Sequence, residues 1–140
     1  MNAAEIIAKL DLRPHPEGGW YRETFASKNG PDRPFGTAIY YLLEAGQNSH
    51  WHRVDADEIW HFYAGCPLTL SISETDNGPA TDHILGPDLA IGNPQIVVPK
   101  GHWQAAKAGQ NWCLVGCTVT PGFQFDGFTL APKDFDIPRA

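Results

Sequence analysis

Glycine and proline interrupt this chain about every ten residues, and short runs rich in β-branched and aromatic residues lie between the interruptions. Fourteen glycines and twelve prolines stand where average usage would place about 17 of the two together. Such spacing leaves little room for long helices and predicts many short strands. The exception is Asn2 to Leu10, where Ile6, Ile7 and Leu10 recur at helical spacing before Pro14 and Pro16 stop any continuation. This helix is expected to pack on the outside of a larger β structure.

The remaining runs read as strands over Trp20 to Ala26, Thr37 to Glu44, Ser49 to Val54, Glu58 to Tyr63 and Pro67 to Glu74. Further strands are expected over His83 to Leu85, Gln95 to Pro99, Trp103 to Lys107, Trp112 to Thr120 and Phe125 to Leu130. Turn-rich stretches separate them, among them Lys28 to Pro34, Thr75 to Pro79 and Ala108 to Asn111. In Pro67 to Glu74, Leu68, Leu70 and Ile72 alternate with Thr69, Ser71 and Ser73, the pattern of a half-buried strand. Many short strands at this spacing predict a sandwich or barrel. A length of 140 residues predicts one domain, spanning residues 1–140.

Composition excludes several classes of function. Ten Lys and Arg against sixteen Asp and Glu give a net charge of −6, without the basic face that nucleic acid requires. No apolar run approaches the roughly 18 residues of a membrane span, and the amino-terminal residues lack the pattern of a signal peptide. Cys66, Cys113 and Cys117 are an odd set with no zinc-knuckle spacing and read as free thiols of a reduced, cytoplasmic protein.

The stretch richest in chemistry runs from Gly46 to Gly65. His50 and His52 are two apart, which on a regular strand puts both imidazoles on one face. Glu58 begins the next strand. Two imidazoles and one carboxylate on neighbouring strands can occupy one face of a transition metal, and the donor types suit Fe, Mn, Zn, Ni or Cu. Alternatively, the histidines are satisfied by structural hydrogen bonds, and Glu58 by an ion pair with Arg53 or Arg22. A carboxyl group facing an apolar interior must be paired, metal-bound or protonated, and a raised pKa would suit it to acid/base work. His61, three past Glu58, falls on the opposite face.

These residues resemble the cupin superfamily. His50-Trp-His52, Glu58 and Gly65 match its first motif, with a shorter Gly46-to-His50 interval and a longer His52-to-Glu58 gap. Gly92 and Pro99-Lys-Gly101 match the second, but Gln104 stands where a histidine is expected and His102 adjoins the glycine. HPEGGWYRETF, SHWHR with DEIWHFYAGCPL, VVPKGHWQAA and CTVTPGF resemble one branch of small cupins of unknown function, cupin family five. The resemblance implies an all-β double-stranded β-helix, or jelly roll, with a central pocket, assembled as a homodimer. In that branch the residues matching His52, Arg53 and Glu58 are the steadier features.

The expected site therefore has two forms. In one, His50, His52, Glu58 and Gln104 hold a divalent metal. In the other, Glu58 and His52 work as a metal-free acid/base pair, similar to the cupin-fold epimerases. The resemblance adds Ser49, Arg53 and Gln95 as ligand contacts, Gln104 can instead orient a polar ligand by hydrogen bonds, and Trp60 and Trp103 read as pocket walls or as core. The loop of His15, Glu17, Gly18 and Gly19 reads as turn geometry or as a lid that brings Tyr21 or Arg22 to a ligand. The expected partner is a small polar metabolite, either transformed in the pocket or merely bound there.

Overall fold

The computed structural model describes residues 1–28 and 31–139. Asn29 and Gly30, part of the expected Lys28 to Pro34 loop, lie outside them, as does Ala140. Helix α1 (Ala3–Leu10) begins with a reciprocal cap. The Asn2 side chain accepts from the Glu5 N–H at 2.9 Å, and the Glu5 carboxylate accepts from the Asn2 N–H at 3.2 Å.

Eleven strands follow among the described residues. They are β1 (Arg13–Pro14), β2 (Trp20–Ala26), β3 (Thr37–Leu43), β4 (Asn48–Val54), β5 (Asp57–Gly65) and β6 (Leu68–Ser73), then β7 (Thr81–Leu85), β8 (Gln95–Val98), β9 (Trp103–Ala108), β10 (Cys113–Thr120) and β11 (Phe128–Leu130). Ten of these fall on the expected runs. Strand β1 carries no sequence pattern of its own and exists by pairing with β2. The run expected as a strand from Phe125 begins instead as a 3-10 turn over Phe125–Gly127 and extends only from Phe128.

The strands form two antiparallel sheets, of order β1-β2-β3-β10-β5-β8 and β11-β4-β9-β6-β7. Removing the edge strands β1, β2 and β11 leaves two four-stranded sheets in which, apart from the β6–β7 hairpin, neighbouring strands are not consecutive in the chain. This is the connectivity of a jelly roll. The sheets pack face to face. Tyr41, Trp60 and Val115 from one meet Leu68, Leu70 and Ala106 from the other in a single buried cluster.

Both outer faces are also covered. Ile6 of α1 and Leu12 pack on Leu42, outside the six-stranded sheet. The carboxy-terminal segment lies over the five-stranded sheet, where Ile137 joins Trp51 and Trp103. This cover changes the reading of β6. Ser71 and Ser73, expected on an open face, are buried, and the Ser71 hydroxyl donates to Asp82 and accepts from Arg139. Among the described residues, no helix is long and apolar enough to cross a membrane.

Along the strands, the interior changes character from one end to the other. Leu43, Val115 and Trp60 fill one end, while Thr37, Val119 and Glu58 on the same strands line a cavity at the other. The fully buried Leu70 sits in the filled end. Leu70→Ala is expected to cost about 2–5 kcal/mol of folding stability, measured by urea unfolding. A cost below about 1 kcal/mol would contradict face-to-face packing of the sheets.

Candidate functional site

The cavity has a volume of about 250 Å³. Thr37, Ile39, Glu58, Cys117 and Val119 reach it from the six-stranded sheet, and His52 and Val54 from β4 of the other. His15, Glu17, Tyr21 and Glu23 enter from the amino-terminal loop and β2, and Phe123, Phe125 and Phe128 from the segment after β10.

The amino-terminal loop folds inward because its glycines permit it. Gly18 and Gly19 have φ of 107° and 75°, in the region that side chains disfavour. A Cβ on Gly18 would stand 2.2 Å from the Asn48 carbonyl oxygen. The loop is tied to β4 by the His50 N–H, which donates to the Glu17 carbonyl at 2.7 Å. The Glu17 side chain is thereby driven into the interior, where the Ser49 hydroxyl donates to its Oε2.

Its other oxygen faces two imidazoles. Glu17 Oε1 lies 3.3 Å from His15 Nδ1 and 3.5 Å from His52 Nε2. The backbone settles which ring nitrogens carry protons. His52 Nδ1 lies 2.7 Å from the His50 carbonyl, which can only accept, so Nδ1 donates and Nε2 presents its lone pair. His15 Nδ1 accepts from the Glu17 N–H at 3.2 Å, so it too presents a lone pair. That lone pair is already engaged by the backbone, so a proton on Glu17 Oε1 is directed to His52 Nε2.

Electrostatics favours that protonated state. Burial pushes the Glu17 carboxyl up to about 8, against hydrogen bonds from Ser49 and Tyr41 that pull the other way. Burial likewise pushes Glu58 up to about 7, opposed by His52 and reinforced by Glu17. Burial holds His15 down at about 4, with His52 adding to the effect. His52 is also lowered, chiefly by burial, although Glu58 acts to raise it. Burial raises the Cys117 thiol well above its ordinary range, so it stays a thiol and a poor nucleophile.

Glu58 is held from behind. Trp60 Nε1 donates to Gln104 Oε1 at 2.7 Å, and Gln104 Nε2 donates to Glu58 Oε1 at 2.9 Å. Both ends of the Gln104 amide are therefore engaged, and neither arginine pairs with Glu58. Arg53 lies over the Trp103 ring at 4.7 Å, and Arg22 over the Tyr40 ring at 5.7 Å.

His50 does not share a face with His52. Strand β4 carries one extra residue opposite β9, since Ser49 pairs with Ala106 and His52 with Gln104. The bulge turns Ser49 and His52 inward, while His50 Nε2 lies 2.9 Å from the Pro132 carbonyl. Nor are β4 and β5 neighbours in one sheet, so His52 and Glu58 approach across the interior rather than side by side. Of the four expected metal ligands, only His52 and Glu58 point to the cavity. The expected four-donor set for a transition metal is therefore not assembled, because His50 faces Pro132 and both ends of the Gln104 amide are engaged. Among the described residues, no three His, Cys, Asp or Glu side chains form a cation site.

The other expected contacts divide in the same way. Ser49 reaches the cavity through Glu17. Trp60 belongs to the core, Trp103 packs beneath the carboxy-terminal segment, and Gln95 Nε2 lies on the outer side, 3.2 Å from His61 Nδ1. Sequence reasoning did not place His15, Glu17 or the three phenylalanines in the site. The HPEGG segment reads from sequence as a turn or as a lid that brings Tyr21 or Arg22 to a ligand; Tyr21 lines the cavity and Arg22 does not, and nothing in the pattern says that the Glu17 side chain folds inward.

Jelly-roll topology and an interior site of histidines and carboxyls define a class, and comparison with known proteins narrows it. The chain belongs to the Cupin superfamily (DUF985), whose family profile matches residues 4–131. A crystal structure of a Shewanella oneidensis protein is 43% identical, with a TM-score of 0.87 over 94% of this chain and 85% of that one. A hypothetical protein from Leishmania major is 28% identical, with a TM-score of 0.84 over 96% of this chain and 90% of that one. A variant of Bacillus subtilis oxalate decarboxylase shares the fold at 15% identity and a TM-score of 0.65 over 86% of this chain, which spans 30% of that protein. No curated protein matches this sequence.

The buried carboxyls give stability a pH dependence of known sign. The two carboxyls have pKa values raised on folding, so stability is lost as pH rises toward about 7 for Glu58 and about 8 for Glu17. The histidines are depressed, so their contribution is lost only below about 6.5. Between pH 6.5 and 8 the carboxyls act alone, each at up to about 1.4 kcal/mol per pH unit while still protonated. Urea unfolding should give lower stability at pH 8.5 than at 6.5, and Glu17→Gln should remove much of the difference. A flat wild-type profile would contradict protonated, buried carboxyls.

Proposed function

We propose that the protein binds a small polar metabolite in this cavity and moves a proton on it without a metal. The observation that carries this reading is the Glu17 carboxyl, buried against the His52 Nε2 lone pair in a cavity that Glu58 also lines. Near neutral pH such a group offers a proton donor in Glu17 and proton acceptors in His52 Nε2 and ionised Glu58. Donor and acceptors in one apolar enclosure suit transfer of a proton from a carbon beside a carbonyl, with the carbonyl oxygen receiving the opposing hydrogen bond. Returning the proton to the same or the neighbouring carbon completes an epimerisation or isomerisation with no oxidant or reductant.

Size supports a small ligand, since drug-sized molecules occupy pockets of roughly 300–1,000 Å³ and this one is about 250 Å³. Gln104 is a positioning residue that aims Glu58, and Ser49 does the same for Glu17.

The test is hydrogen exchange in D2O, followed by proton NMR, across a panel of small hydroxy- and amino-carbonyl compounds. Wild-type protein is expected to exchange a C–H proton in at least one of them. His52→Gln and Glu58→Gln should each slow that exchange by about 100-fold or more. A compound that binds in the cavity while no member of the panel exchanges would make this a binding module instead.

A further inference from the structure

The cavity is acidic in a specific way. Three carboxyl groups line it, from Glu17, Glu23 and Glu58, and among the described residues no lysine or arginine does. The nearby cations are engaged elsewhere. Arg33 binds Asp55 and the Gly122 carbonyl, while Arg22 and Arg53 lie against the Tyr40 and Trp103 rings. An anionic ligand would enter with no lysine or arginine to pair with, past the exposed Glu23 and against the buried carboxyls of Glu17 and Glu58, which is costly.

One side of the lining is aromatic, and the remainder is largely aliphatic, from Ile39, Val54 and Val119. Phe123, Phe125 and Phe128 meet one another at centroid distances of 5.0–5.9 Å and interplanar angles of 65–84°. Their rings therefore present both faces and edges around one side of the opening, and Phe125 is 52% exposed at its rim. Tyr21 flanks them across His15, with the His15 and Tyr21 ring centroids 4.5 Å apart. Aromatic faces beside carboxyl groups form the pairing that recognises ammonium groups, since the ring quadrupole and the carboxylate both attract positive charge.

We infer that the cavity selects an organic cation: a protonated or quaternary amine on a small apolar body, its charge toward the carboxyls of Glu17, Glu23 and Glu58 and its body against the phenylalanine rings. This rests on the proposed function, because it assumes that the same cavity is the ligand site. A consequence is proton release. A cation near Glu17 and Glu58 lowers their pKa values, so binding just above neutral pH expels protons these groups otherwise hold.

The experiment compares three probes of similar shape and different charge: benzylammonium, benzyl alcohol and benzoate. Binding is followed by calorimetry at pH 7.5 in Tris and in phosphate, and by the NMR signals of the His15 and His52 imidazoles. Benzylammonium is expected to bind at least tenfold tighter than benzyl alcohol, a difference of about 1.4 kcal/mol. Benzoate should be weakest, and the heat of benzylammonium binding should differ between the two buffers. Glu17→Gln should reduce the buffer difference, and the rim variant Glu23→Gln, which leaves the interior untouched, should narrow the ratio between benzylammonium and benzyl alcohol. Equal or tighter binding of benzyl alcohol or benzoate, with the imidazole signals perturbed, overturns the charge preference and leaves the cavity as the ligand site. No perturbation of either imidazole by any probe overturns the inference, and with it the assumption that the cavity takes ligands.

Discussion

Between His15 and Gly19 the chain turns back on itself and carries the carboxyl group of Glu17 out of water. Much of the cavity follows from accommodating it. A buried carboxyl needs partners, and the chain supplies a hydroxyl from Ser49 and an imidazole lone pair from His52, with the His15 ring packed beside them and accepting from the Glu17 N–H. The His50 amide anchors the loop, and two glycines in left-handed conformation let it pass close to β4. Through this arrangement the state of one proton is linked to three side chains and to the docking of the amino-terminal segment.

The jelly roll explains why such a group is tolerated at one end of the interior only. At the filled end, leucines, valines and an indole pack the two sheets against each other. The same strands run on into the polar end, where their inward positions become Thr37, His52 and Glu58. Packing at one end thus holds apart the walls of the cavity at the other. The loop and β2 on one side, and the phenylalanine-bearing segment on the other, narrow what would be an open mouth.

The architecture was legible because strand and turn chemistry are local. Alternation in Leu68 to Ser73, the β-branched and aromatic run from Thr37 and the turn residues between them place most strands within a residue or two. The site was half legible. Glu58 and His52 stood out as polar residues beside apolar strands, and both reach the cavity. His50 departs from its expected place because its two-residue spacing from His52 implies a shared face only on a regular strand, and a single extra residue in β4 reverses that implication. Bulges carry no reliable sequence mark here. Glu17 was missed for another reason: its neighbours His15, Pro16, Gly18 and Gly19 specify a turn, but the direction of a turn is decided by what it packs against.

The bond series from Trp60 through Gln104 to Glu58 crosses from the six-stranded sheet to the five-stranded one and back again. An amide with both ends engaged across that gap works as a spacer of fixed length. Any sliding of one sheet past the other would lengthen one of the two bonds before it disturbed the apolar packing. The orientation of the Glu58 carboxyl is therefore tied to the alignment of the two sheets, so the wall that carries it is set by the sandwich as a whole rather than by local packing.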